Sequence, residues 1–448
     1  MKRKIFDTLL HWKNTEKGRV ALMIEGARRV GKSYIVEAFA KEYYRSYIMI
    51  DLSFMTGTIK KVFDEYLNDI PMFLSLLQNI MNVKLYERES LIIFDEIQAY
   101  PKVRQAIKHL VADGRYDYIE TGSLISILEN TQGILLPSEE RIVKMYPMDF
   151  EEFLWAMGDE MTMPFISQCF ETKKALGPMH RKAMELFRQY MIVGGMPQAV
   201  ERYVKSKLFI DADTVKRDIL NLYKNSVSQY AVGYAEKVKS VFDNIPAELQ
   251  RHEKRFRLSD IEPGARFRSY ESSFLWLKDA MITNMCYGAT APSIGMKLVS
   301  DQYTFKCYMA DTGLLISHSF DEKTIQSEEL YKKIMLDKIE INSGMLVENI
   351  VAQMLVASGH RLYFYSKNSK DKEERMEIDF LIEKQTLTNA HNISPIEVKS
   401  GKNYTTVSLD KFCKKFSKQL HTPYIIHSSD LKILNGVIYL PIYMTPLL

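Results

Sequence analysis

Residues 26–33 read Gly-Ala-Arg-Arg-Val-Gly-Lys-Ser, with glycines at the first and sixth positions and a lysine and a hydroxyl after the second. Glycines let successive backbone N–H groups turn inward on an anion with no Cβ in the way. The spacing G-x-x-x-x-G-K-[ST] is that of a phosphate cradle. Gly26, Ala27, Arg28, Arg29, Val30, Gly31, Lys32, Ser33 and Tyr34 would then line a nucleoside triphosphate site. Lys32 is the candidate cation for the β and γ phosphates, and the Ser33 hydroxyl the candidate Mg²⁺ ligand. Arg28 and Arg29 fit nucleotide contact and solvated charge equally well.

The flanks supply what the motif needs. Val20 to Ile24 form a short apolar strand, and Ile35, Val36, Phe39, Ala40 and Tyr43 recur at helical spacing behind the loop. Leu91-Ile-Ile-Phe-Asp95-Glu96 is a second buried strand ending in two carboxylates. Asp95 is placed to meet the metal, and Glu96 to polarise an attacking water. The strand Asp117–Ser123 ends in hydroxyls, so Thr121 or Ser123 could sense the γ-phosphate, although both also suit an ordinary turn. Tyr47–Leu52 and Ile142–Met145 are further strand candidates. Repeated βα units predict a doubly wound α/β domain over residues 1–150, with ATP outside the carboxyl ends of its strands.

A second group of chemically capable residues lies near the other end. Arg375–Glu383 alternates like a strand, with Glu377, Asp379, Leu381 and Glu383 on one face. After a polar loop, Ile393–Lys399 alternates again and sets Glu397 beside Lys399. A Glu-x-Lys triplet arises by chance about once or twice in a chain of this length. It gains meaning only if the strands pair and bring Asp379 alongside. Glu348, on a helix whose same side carries Val351 and Leu355, is a possible third carboxylate, because a carboxylate beside an apolar face needs a partner. Asp379 and Glu397, with Glu348, would hold a second Mg²⁺ or Mn²⁺, while Lys399 would orient its water or neutralise phosphoryl charge. Lys411, Lys414, Lys415 and Lys418 could meet a nucleic-acid backbone. The competing account is a structural hairpin beside a solvated basic helix.

Between these ends, residues 151–231 read as helices and suggest a helical lid, with Arg217 and Asp218 as an exposed pair or a link between subunits. Residues 232–325 combine two amphipathic helices, a run of arginines from Arg251 to Arg268, and short strands. That pattern fits a winged helix-turn-helix contacting DNA or RNA, or a packing module with a charged face. Residues 335–448 complete a multidomain α/β chain.

The 448 residues carry a net charge of only +4, which permits nucleic-acid contact without arguing for it. The cysteines Cys169, Cys286, Cys307 and Cys413 are scattered with no C-x-x-C, so a zinc site or disulfide framework has no support. With no apolar run long enough for a membrane span, the expectation is a cytoplasmic protein with no membrane partner.

Taken in order, GARRVGKS, LIIFDEIQ, ETGS, YPMDFEEFL, VGGMPQAV, ADTGLL, LVENIV, MEIDFLI and IEVKSGK give the chain a family likeness. It resembles the bacterial and archaeal AAA+-type P-loop ATPases that end in a domain of unknown function with nuclease-like motifs. The resemblance implies ATP hydrolysis, a homo-oligomer by analogy, and a C-terminal domain similar to PD-(D/E)xK nucleases, mapped onto Glu348, Asp379, Glu397 and Lys399. It also makes Arg141 a candidate arginine finger or sensor. Where the family commonly has Gly-Arg, this chain has Glu140-Arg141, so Glu140 could pair with that arginine.

Overall fold

A computed structural model describes residues 1–123, 138–251, 255–320, 328–335, 343–383, 391–401 and 403–448. These divide into two compact units, residues 1–146 with 279–281, and residues 147–278 with 282–448. No helix among the described residues is long and apolar enough to cross a membrane.

The first unit is built on five parallel strands, β1 (Ala21–Gly26), β2 (Ser46–Asp51), β3 (Ser90–Asp95), β4 (Asp117–Gly122) and β5 (Glu140–Met145). Their spatial order is β2-β3-β4-β1-β5. The strands are apolar on both faces because helices cover both. Ala21, Met23, Ile92, Phe94 and Tyr118 point into one core, together with Phe63, Leu74 and Ile107 of three helices. Their alternates Leu22, Ile24, Leu91, Ile93 and Ile119 point into the other, against Leu9, Trp12, Ile35 and Phe39. Strand β4 lies between β1 and β3, pairing Ile24 with Thr121 and Phe94 with Glu120. That insertion sets the Thr121 hydroxyl beside the carboxylate ending β3.

In the second unit, the stretch expected to be helical is helical, with helices Phe150–Ala156, Thr162–Thr172, Met179–Val193, Pro197–Ser206 and Phe209–Tyr230. The VGGMPQAV and ADTGLL segments lock onto each other. Gly195 N–H donates to Asp311 Oδ2 at 2.6 Å, while Asp311 Oδ1 caps the helix Thr312–Ser319 by accepting from Leu314 N–H at 2.8 Å. Gly194 has φ +82°, and a Cβ there would fall 2.4 Å from that Asp311 Oδ1, so only glycine fits. Arg217 is partly buried and bonded within its own chain. Its guanidinium donates to Asp213 Oδ2 at 2.6 Å and to the Phe320 carbonyl at 3.1 Å.

The same unit holds an eight-stranded mixed sheet of β6 (Thr283–Ala289), β7 (Ser300–Met309), β8 (Leu362–Lys367), β9 (Met376–Glu383), β10 (Ile393–Val398), β11 (Tyr424–His427), β12 (Lys432–Leu434) and β13 (Val437–Pro441). Its order is β12-β13-β11-β10-β9-β8-β6-β7. The expected sequence of helix, helix and hairpin is present between residues 235 and 309. The hairpin is not a free wing, however, because β6 pairs in parallel with β8, joining Cys286 to Leu362 and Tyr287 to Tyr363. Residues 232–325 therefore do not form a compact unit apart from the C-terminal strands.

Candidate functional site

The N-terminal site is assembled at the carboxyl ends of β1, β3 and β4. After β1 the chain turns through Arg29 at φ 67° and Gly31 at φ 97° before the helix Lys32–Tyr43 begins. Gly26 is required by packing, since a Cβ there would lie 2.5 Å from the Met145 carbonyl. Lys32 is buried, and its ammonium donates to the carbonyls of Gly26 at 3.0 Å and Ala27 at 3.1 Å. Burial lowers its pKa, against the opposing pull of Glu96 and Asp95.

Ser33 Oγ donates to Asp95 Oδ1 at 2.9 Å, and Thr121 Oγ1 donates to the same oxygen. Glu96 follows Asp95 in the left-handed region, at φ 54° and ψ 51°, a conformation that costs a non-glycine residue about 1 kcal/mol or more. This turn takes Glu96 off the strand direction, and its N–H donates to Thr121 Oγ1 at 3.4 Å. Hydroxyl, carboxylate and ammonium thus converge as phosphate and magnesium chemistry requires. Ser33 and Asp95 fit a magnesium ion, and Lys32 with the loop N–H groups fits a triphosphate. Of the two hydroxyl candidates, Thr121 touches the Asp95 carboxylate; Ser123 is buried just beyond β4. Tyr34 is exposed on the first turn of the helix, where the N-terminal ammonium donates to its hydroxyl at 3.4 Å.

Two residues that local pattern did not single out complete this site. Gln98, one turn after the strand, donates from Nε2 to Glu96 Oε2 and so fixes the carboxylate. Arg3 is buried and donates to the carbonyls of Val30 at 3.0 Å and Tyr146 at 2.7 Å, tying the loop to the end of β5. The only earlier trace of either was the quoted LIIFDEIQ stretch, which contains Gln98.

Arg141 lies away from the phosphate loop of its own chain. It pairs with Leu22 near the start of β5, and its guanidinium donates to Glu16 at 2.6 Å. The phosphate loop leaves β1 at the opposite end, about 13 Å away along the strand at the usual rise per residue. Glu140 does not pair with Arg141 either, because neighbouring strand residues face opposite sides. It forms a buried two-bond pair with Arg104, at 2.7 and 3.1 Å.

The C-terminal group does come together. Strands β9 and β10 pair antiparallel with Ile396 opposite Phe380, and the next step of that register sets Glu397 opposite Asp379. Asp379 Oδ2 accepts from Val398 N–H at 2.8 Å, and Lys399 Nζ lies 2.8 Å from Glu397 Oε2. Burial pushes the Glu397 carboxyl up to about 7 against the pull of Lys399. Glu348 is buried, as its apolar helix face suggested.

Its partner is a residue that sequence pattern did not offer. Lys306 of β7 is buried with its ammonium 3.1 Å from Glu377, 3.2 Å from Glu348 and 3.7 Å from Asp379. Tyr308 donates its hydroxyl to Glu348 as well. Burial alone would lower the Lys306 pKa, but these three carboxylates hold it above its ordinary value. Among the described residues, no group of three or more His, Cys, Asp or Glu side chains is arranged to hold a metal ion. Glu348, Asp379 and Glu397 therefore do not fit the metal triad expected of them, because lysine ammonium groups already stand between and beside the carboxylates.

Comparison with known proteins agrees with the first site and is silent on the second. Residues 18–154 match a family model described as an AAA domain. Residues 184–324 and 343–444 match two models, each described as a domain of unknown function (DUF8612 and DUF4143). No curated protein matches the chain. Among solved structures, a Walker-type ATPase of Pyrococcus abyssi is 15% identical, with 71% of this chain and 96% of that one covered, at a TM-score of 0.39. AMPPCP-bound DnaA from Aquifex aeolicus is 11% identical, covering 62% and 89%, at a TM-score of 0.25. Cdc6p from Pyrobaculum aerophilum is 12% identical, covering 75% and 94%, at a TM-score of 0.26. Residues 18–154, which include the phosphate loop, thus match an AAA domain, while the other two matched segments match models described only as domains of unknown function.

Proposed function

We propose that the chain hydrolyses Mg-ATP at the N-terminal loop and uses that cycle to control the hold of its second unit on a nucleic acid. The convergence of Ser33, Asp95, Thr121 and Glu96 around the buried Lys32 carries the first half. Lys32 neutralises charge on the phosphate oxygens, Glu96 polarises the attacking water, and Thr121 and Gln98 keep the two carboxylates oriented. Ser33 and Asp95 would hold a magnesium ion, which would supply charge neutralisation at the transferring phosphoryl group.

For the second half, the support is a groove of about 520 Å³ lined by Arg255, Lys367, Lys415, Phe364, Tyr365 and Phe416. Cations beside aromatic rings suit a sugar–phosphate strand. Ser366, also on its wall, pairs with Glu377 of β9, which sets the groove beside the carboxylate hairpin. Lys306 among those carboxylates favours binding over cutting, so the hairpin is taken as part of a nucleic-acid surface and not as a nuclease centre.

The test is ATP turnover measured alone and with single-stranded DNA, duplex DNA and RNA. At least one should raise turnover severalfold. Arg255→Ala combined with Lys415→Ala should lose that response while keeping the basal rate. Absence of response to every polymer would turn the reading toward a protein partner. Divalent-dependent cleavage lost in Glu397→Ala with Lys399→Ala would make the unit a nuclease.

A further inference from the structure

The carboxylates of the C-terminal hairpin surround a cation that the chain provides itself. Lys306 reaches in from β7, near-completely buried, and its ammonium touches Glu348 from the helix Ser343–Ala357 and both Glu377 and Asp379 from β9. Two of these three are carboxylates that nuclease-like motifs would give to a metal. Two of them also accept from other donors. Asp379 accepts from Val398 N–H at 2.8 Å, and Glu348 accepts from Tyr308. The Phe364 ring, its centroid 5.1 Å from the ammonium, closes another side. Glu397 is held by Lys399.

We infer that Lys306 is the permanent cation of this cluster, standing in for a divalent metal, and that the native chain does not load one there. Magnesium requires oxygen ligands about 2.0–2.1 Å away and keeps several of its waters. A dication brought to the same oxygens would be repelled by an ammonium that is itself buried and paired among them. Lys306 satisfies the charge of the carboxylates but provides no open coordination position where a water could be activated. The cluster then joins β7, β9 and the helix Ser343–Ala357 without dependence on metal supply. This rests on the reading of the second unit as a binder, yet it concerns only cation occupancy.

The experiment uses Mn²⁺ itself as probe, following the free-ion paramagnetic resonance signal during titration of the full-length, nucleotide-free protein. Omitting nucleotide keeps the phosphate-loop site out of the measurement. Wild type and Asp379→Asn should leave the same free Mn²⁺. Lys306→Met should gain a Mn²⁺ site that is lost again when Asp379→Asn is added. Wild-type uptake of Mn²⁺ that disappears in Asp379→Asn would overturn the inference, as would a folded Lys306→Met chain that takes up none. If Lys306→Met does not fold, the wild type against Asp379→Asn comparison decides alone. A chain that ignores nucleic acid would leave these titrations unchanged, so the two proposals fail separately.

Discussion

Lys32→Ala is expected to reduce ATP turnover by about a hundredfold or more, the range seen when a preorganised charge or donor is removed from a reacting site. The ammonium is the cation directed into the loop, bonded to the Gly26 and Ala27 carbonyls. It is also buried, so its charge acts with little solvent screening on any phosphate held there. Alanine removes the charge and leaves those two carbonyls without their donor. Phosphate release at saturating ATP measures the effect, and near-normal turnover would remove Lys32 from the account.

Arg104→Met is expected to destabilise the N-terminal unit by about 3–5 kcal/mol, the usual cost of leaving a buried charge without its partner. Arg104 and Glu140 are both buried and share two hydrogen bonds. Glu120 lies fully buried nearby, beside the Glu140 carboxylate. Burial, followed by the nearby Glu140, holds its carboxyl well above the usual carboxylate range. Methionine preserves much of the arginine volume but removes the one cation paired with Glu140. Urea unfolding of Arg104→Met, Glu140→Gln and the double variant should show the double less destabilised than the sum of the singles. Additive losses would mean that the pair is not coupled.

Both cases mark what local sequence can and cannot convey. The phosphate loop was legible because strand, glycines, lysine and helix lie within one short segment, where spacing alone fixes who faces whom. The alternation of residues 375–383 and 393–399 likewise showed that Asp379 and Glu397 could share a face, since a two-residue period survives whatever the sheet does around it. The order β2-β3-β4-β1-β5 was not legible, and with it went the position of Arg141. A family pattern could suggest that residue, but only parallel pairing shows that it sits at the end of β5 away from its own chain's loop. Lys306 was invisible for a related reason. It lies 42 residues from Glu348 along the chain, and the β6–β7 pair looks like a local wing in sequence, whereas β6 pairs with β8 in the sheet. Arg104 was hidden in a helix as one more exposed-looking charge. Gln98 was in view beside Asp95-Glu96, but its role depends on the left-handed turn at Glu96, which no residue type there announces.

If Glu96 polarises the attacking water, equilibrium binding of labelled ATP and phosphate release should part company in Glu96→Gln. Wild type and Glu96→Gln should bind ATP with Mg²⁺ with similar affinity. Wild type should release phosphate and lose this activity on chelation of the metal, while Glu96→Gln should hold ATP without turning it over. Equal turnover in the two proteins, or no ATP binding by either, would rule out this role for the N-terminal unit.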